Sequence, residues 1–351
     1  MRFIVGILGM LFRPLFATVL IGVNYNSNMC IVKVVKKRSG RIVEETNKEF
    51  KILNGELSVE VMKYIKRLKS RYAYSYLCIL SKTQDQVLVP GVKKNTFGNF
   101  GVSEKDYQMV KLPSAFAFML KEDVLDYQKA FKKAKGLDFL FSPFVLLFFK
   151  AKSFIGDHPK LFALQEKETL AILVATRKEI LYGAFLLMST TSSVTNVSQT
   201  DIPSSLATSD TLIATSSTAK GIDDLNTELS GVDEELADLD SFDFNNIGVE
   251  TTDENISGTS SDDEDSSTMD SLNDLGRSTG IINLLQASIK DFYQNSLYEG
   301  DFIEEIVFFD CYGMSTQAVD NVRSNLMIDL SLVTLDLSKE LTNLAQIELD
   351  S

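Results

Sequence analysis

The chain offers few residues for covalent or metal chemistry. Histidine occurs once, as His158 beside Pro159 in a polar stretch, so a Ser-His-Asp arrangement has a single available base, which reads as a solvated loop residue. Cys30, Cys78 and Cys311 are far apart in apolar surroundings and read as buried free thiols in a reducing compartment. No zinc spacing, paired metal carboxylates or Walker A motif is present. What remains is three polar turns between apolar runs. They are Asn24-Tyr25-Asn26-Ser27-Asn28, Gln165-Glu166-Lys167-Glu168 and Asp310-Cys311-Tyr312-Gly313. Asparagine suits such positions because it tolerates unusual backbone angles.

Two meanders must position these turns. In the first, Val19–Val23, Met29–Val35 and Arg41–Phe50 read as strands, joined by Asn24–Asn28 and by the charged turn Lys36–Gly40, where Gly40 supplies a positive φ. In the second, Leu161–Leu164, Thr169–Ala175 and Ile180–Leu187 repeat the order of strand, polar turn, strand, charged turn, strand. The two meanders lie about 140 residues apart and fit a duplicated domain.

Helices and strands alternate around them. Leu57–Tyr72 is amphipathic, with Val59, Met62, Ile65 and Leu68 on one face and Ser58 as a partial N-cap signal. Tyr74–Ser81 is an apolar strand, Gln84–Gly91 ends in a Pro-Gly turn and Lys93–Gly101 is a loop. Tyr107–Leu120 alternates in part like a strand, and Glu122–Ala134 follows as a helix. Gly136–Phe149 is dense in Phe and Leu but too short to span a bilayer; it reads as a strand, Leu137–Phe141, and a helix opened by Ser142-Pro143. Beyond Gly280 the pattern is helix Ile281–Asn295, strand Ile303–Phe309, helix Ser315–Leu326, strand Leu330–Leu335 and helix Ser338–Leu349. That alternation is the mark of an α/β fold.

Charge divides the chain. At 351 residues and 44% apolar content, two core-forming domains are affordable by size, and the net charge is −13. Between Met188 and Gly280, however, about 20 Asp and Glu stand against only Lys220 and Arg277, leaving the remainder slightly basic. Nucleic acid is therefore disfavoured as a partner. Residues 189–279 read as a disordered acidic insert with a short helical patch at Gly221–Leu239, and Asn196-Val-Ser and Asn255-Ile-Ser as chance glycosylation matches. Residues 1–14 form an apolar leader, touching a membrane rather than spanning it because Arg13-Pro14 interrupts Phe3–Val23. The organisation expected is 15–155 as one half, and 156–188 with 280–351 as the other. Lys33, Lys36, Lys37 and Arg38 make a basic cluster, read as exposed hairpin charge or as a contact for anionic headgroups.

Taken together, the strand pattern resembles the actin-like superfamily, and within it the PilM and GspL type of inner-membrane platform protein, over roughly Leu15–Leu187 and Gly280–Leu349. Ile21-Gly-Val-Asn-Tyr-Asn-Ser-Asn28 stands where that family has its first phosphate loop, Leu161–Val174 where it has the second, and Phe308–Gly313 where a glycine turn approaches base and sugar. The resemblance implies an α/β fold of two duplicated RNase H-like halves with mixed sheets. It makes Asn24, Asn26, Ser27, Asn28, Gln165, Asp310 and Gly313 the nucleotide-loop positions. Their chemistry departs from the family. Asn24 replaces a Mg²⁺-organising aspartate, Asn26 a glycine, and Glu166 and Glu168 bring negative charge to the second loop. The implied function is a non-catalytic pseudo-ATPase scaffold at the cytoplasmic face of the inner membrane, in a type IV pilus, type II secretion or competence machine. It would have no catalytic residue, metal or cofactor, with ATP/Mg²⁺ disfavoured. Its partners would be a bitopic platform protein and an assembly ATPase. The alternatives are a nucleotide-binding ATPase or kinase-like protein and a membrane-anchored adaptor.

Overall fold

The computed structural model describes residues 17–52, 57–91, 93–188 and 263–351, apart from the side chains of 94–95 and 263–273. The leader 1–14 and most of the expected insert, including Gly221–Leu239, fall outside the described residues. All sheets lie in one unit made of residues up to 190 and from 267 onward.

The first half opens with β1 (Thr18–Tyr25), β2 (Met29–Arg38) and β3 (Arg41–Lys51), followed by α1 (Val59–Arg71) and β4 (Tyr74–Leu80). Five consecutive residues of β1, Val19 to Val23, are buried, as befits a central strand covered on both faces. Ser39 (φ 52°) and Gly40 (φ 76°) alone make the β2–β3 turn, the two positive-φ residues of a tight hairpin. The Ser58 hydroxyl accepts the Val61 N–H, and α1 buries Val61, Met62 and Ile65, with Val59 only half-buried. An excursion follows: β5 (Gln86–Pro90), a 3-10 turn at Lys94–Phe100, β6 (Tyr107–Leu112) and β7 (Ala115–Leu120). The Tyr107–Leu120 stretch is thus two strands, because Pro113-Ser114 reverses the chain. Then come α2 (Lys121–Ala130), a 3-10 turn at Lys132–Ala134, β8 (Phe139–Phe141) and α3 (Pro143–Ala151), capped by Ser142.

The second half contains β9 (Lys160–Gln165), β10 (Thr169–Ala175), β11 (Ile180–Leu187), α4 (Asp263–Gln294), β12 (Glu305–Asp310), α5 (Thr316–Leu326), β13 (Asp329–Thr334) and α6 (Leu337–Asp350). Helix α4 starts well before Ile281, inside the stretch read as insert. Ser315 caps α5 through the Ala318 N–H.

The two large sheets have the same design. One runs β3-β2-β1-β4-β8 and the other β11-β10-β9-β12-β13. In each the first three strands are antiparallel and the last two join in parallel. This is the duplicated actin-like, RNase H-like arrangement.

The halves are stitched by exchanged helices. Helix α3 of the first half packs on β9 and β10, while α6 of the second packs on β1, β2 and β4. One core therefore contains Leu20, Cys78 and Leu80 from one sheet, Phe162, Leu164 and Leu173 from the other, and Phe144, Leu147, Leu341 and Leu344 from the helices. The approach of α6 is close. A Cβ on Gly22 would lie 2.3 Å from the Ser338 carbonyl oxygen. Lys150 of α3 and Glu340 of α6 pair at 3.0 Å.

Candidate functional site: three turns at the carboxyl ends of the sheets

In both large sheets the polar turns follow the carboxyl ends of β1, β9 and β12, where open α/β sheets place their ligand crevices. The structure brings the sequence-predicted positions together. The Ser27 amide donates to Glu168 Oε1 at 3.1 Å, linking the first turn to the second. Asn26 folds back on its own turn, its Oδ1 accepting the Asn28 and Met29 amides at 3.0 Å each. In the orientation that satisfies its amide, Asn28 accepts Lys167 Nζ at 3.1 Å. The third turn joins through the Cys311 amide, which donates to the Gln165 carbonyl at 3.0 Å.

A lysine sits at the centre. Lys82, just beyond β4, donates to Asn24 Oδ1 at 3.1 Å and to the Tyr25 carbonyl at 2.6 Å, and pairs with Glu166 Oε2 at 2.5 Å. The Glu166 side chain is 5% exposed and that of Lys82 17%, so each ion supplies most of the other's missing solvation. Thr169 Oγ1 donates to Glu166 Oε1 at 3.3 Å. Burial pushes the Glu168 carboxyl upward. Hydrogen bonds from the Ser27 hydroxyl and amide, with the Lys82 and Lys167 charges, outweigh that and hold it below its ordinary value.

Arg277, on α4, closes the second turn from the other side. Its Nη2 donates to the Glu166 carbonyl at 2.9 Å and to the Lys167 carbonyl, while its guanidinium lies 3.9 Å from the Tyr312 ring centroid. Asp310 is buried and spent on its own turn. Oδ1 accepts the Tyr312 and Gly313 amides at 2.8 and 2.9 Å, and Oδ2 the Met314 amide at 2.7 Å. Gln165 is fully buried, with neither side-chain amide atom bonded.

These contacts define what the arrangement can do. A loop that grips phosphate needs free backbone N–H groups and net positive charge. Here the Ser27 N–H already serves a carboxylate, and Lys82 is held by Glu166. A triphosphate would have to displace both glutamates, so the residues present do not fit Mg-ATP. The thiols add no reactive centre: Cys30 and Cys78 are buried, whereas Cys311, expected to be buried, is half-buried in the third turn, and burial raises all three, Cys30 to about 12 and Cys78 higher still. His158 is exposed, away from the turns.

Two members of the cluster carry little sequence signal. Lys82 could have been found as the first charge past the apolar strand Tyr74–Ser81, at a parallel strand's carboxyl end. Arg277 sits in the acidic stretch, and nothing local marks it.

Two family models match the chain. One, described as a domain of unknown function (DUF8569), covers residues 16–148. The other, also described as a domain of unknown function (DUF8341), covers residues 161–350, more than half of the chain. The chain belongs to the DUF8341 family. In the residues assigned to DUF8341 lie two of the three turns, together with Arg277. No curated protein matches.

Solved structures similar to this DUF8341 chain include a Bacteroides thetaiotaomicron protein with an actin-like ATPase fold and unknown function (9% identity, TM-score 0.39, 93% of this chain and 96% of that one). A PilM-PilN type IV pilus biogenesis complex is similar at 11% identity and TM-score 0.46, over 92% of this chain and 89% of that one. The acetate kinase of Porphyromonas gingivalis is similar at 11% identity and TM-score 0.37, over 95% of this chain and 100% of that one. Among the described residues no helix is long and apolar enough to cross a membrane.

Proposed function

We propose that this chain is a non-catalytic actin-like scaffold. It works by binding, receiving a cytoplasmic segment of a bitopic inner-membrane partner in a pilus, secretion or DNA-uptake platform, with an assembly ATPase as a further contact. The observation that carries the non-catalytic part is the Ser27–Glu168 hydrogen bond, seated beside the Lys82–Glu166 pair. Together they satisfy, from within the chain, the donors that a nucleotide's phosphates would use. The partner class follows from the sequence resemblance, and the pairing of PilM with PilN is the one it would parallel.

Calorimetric titration of Mg-ATP and Mg-ADP into the full chain tests the reading. The expected result is no saturable heat at micromolar nucleotide. Saturable micromolar binding overturns it in favour of an ATPase or kinase-like protein. Cross-linking in native membranes, followed by mass spectrometry, tests the partner: a bitopic protein joined through its cytoplasmic segment is expected.

A further inference from the structure

Strand β3 (Arg41–Lys51), at 11 residues the longest strand described, buries almost nothing. All of its residues but Phe50 are exposed, Ile42 at 56% and Val43 at 60% among them. It ends the order β3-β2-β1-β4-β8, so among the described residues it has a strand beside it only on the β2 side. A bare edge of this length is a template for pairing. The edge strands β8 and β13 offer less, with three and six residues, and β11 packs against β5.

The direction of the free groups follows from the ladder. The Ile52 amide donates to the Asn28 carbonyl at 2.8 Å, and the pairing from Met29↔Lys51 to Lys36↔Glu44 runs without a break. Counting back in twos, Phe50, Lys48, Thr46 and Glu44 turn their amides and carbonyls to β2. Lys51, Glu49, Asn47 and Glu45 turn theirs outward. A bulge at Val43, between the pairs Lys36↔Glu44 and Lys37↔Ile42, ends the regular stretch.

We propose that two copies of this chain join along β3, antiparallel, about a two-fold axis at Thr46. Outward groups must meet outward groups, so the axis has to fall on a residue rather than between two. An axis at Glu44, Glu45, Lys48 or Glu49 sets a charge against its own copy, and one at Asn47 sets Glu45 against Glu49. The axis at Thr46 sets Glu44 against Lys48 twice and Glu45 against Asn47, and it brings the two threonines together. Both charges are in place for this. Lys48 Nζ lies 4.8 Å from the Phe50 ring centroid and 4.9 Å from that of Tyr64, while the Glu44 side chain, 3.3 Å from Lys36, stays 55% exposed. Charges that keep other strands off this edge are thus complementary to themselves. The two five-stranded sheets become one continuous sheet. Pairing uses neither nucleotide nor a membrane partner, so its failure leaves the scaffold reading standing.

Sedimentation of the full chain up to about 100 µM tests it, and a concentration-dependent dimer is expected. K48E turns both Glu44–Lys48 pairs into repulsions and should weaken the dimer at least about tenfold, and E44K/K48E should restore it. Asn47→Pro removes an outward N–H without touching the β2 ladder and should also weaken it. These side chains are exposed, and an unchanged thermal melt confirms that the variants fold. Residues opposed at a non-hydrogen-bonded site stand about 4.5 Å apart, so Thr46→Cys should give a disulfide-linked dimer on mild oxidation where the wild type gives none. A chain that stays monomeric, a dimer indifferent to K48E, a charge swap that fails to restore it, or a Thr46→Cys chain that does not cross-link overturns the proposal.

Discussion

The Ser27 amide and the Glu168 carboxylate meet at 3.1 Å across 141 residues of chain, one from each half. A charged acceptor on a backbone N–H is among the stronger hydrogen bonds available to a protein. Here it ties the first turn of one meander to the corresponding turn of its duplicate. Four further relationships can be measured.

Removing the central cation should be costly. Lys82→Met leaves Glu166 buried without its counter-ion, and a loss of about 3–5 kcal/mol is expected by urea unfolding. Adding Glu166→Gln should restore most of it. A double variant as unstable as the single one would mean that the ion pair is not the source of the effect.

The closeness of β1 and α6 gives a contrast between two glycines. In Gly22→Ala the new methyl would lie 2.3 Å from a backbone oxygen of α6, so a loss of about 1–3 kcal/mol is expected. Gly280, inside α4, has no atom within 4 Å of such a methyl, and Gly280→Ala should gain up to about 1 kcal/mol from helix propensity. Denaturant midpoints for the two variants should move in opposite directions.

Acid should loosen the link between β2 and α6. Burial pushes the Asp336 carboxyl up, but the Lys33 ammonium and the Lys339 amide outweigh it and hold it below 3.8. A depressed carboxyl adds stability above its unfolded pKa and loses it as pH falls through its folded one. Lys33 has the opposite sign. Burial lowers it, the bonds to Asp336 and Glu45 raise it further, and its net rise above 10.5 adds stability that disappears only in strong alkali. Asp336→Asn keeps a competent N-cap for α6 but loses the charge. The stability gap between wild type and variant should stay level near neutrality and narrow below about pH 4. A gap that persists undiminished in acid would exclude the ion pair as its cause.

Met327 is a candidate for improvement. It ends α5 in the left-handed region at φ 54° and is 94% exposed, so its side chain contributes little packing against the strain. Met327→Gly should gain about 1 kcal/mol and raise the melting temperature, whereas Met327→Val should lower it.

Much of this molecule was legible because strand burial writes itself into composition. Val19–Val23 and Leu170–Ala175 are continuous apolar runs, and both lie in interior strands. Ser58 and Ser315 announced helix starts through their own capping chemistry. The three turns were found by their polarity, yet what they do to one another was hidden. Glu166 and Glu168 read as charges that would repel a phosphate; in the structure they are partners of Lys82 and Ser27. Arg277 was lost in an acidic stretch, because its hold on the Glu166 carbonyl is a tertiary event 111 residues away in sequence. The helix exchange was likewise invisible, since α3 and α6 carry apolar residues that would suit either sheet.

That exchange has a consequence for biosynthesis. The inner side of the sheet containing β1 stays bare until α6 emerges from the ribosome, far later than the strands it covers. Nascent chains must carry this greasy surface through most of translation, which makes them natural clients for a chaperone and makes premature termination a source of aggregates rather than of a working half.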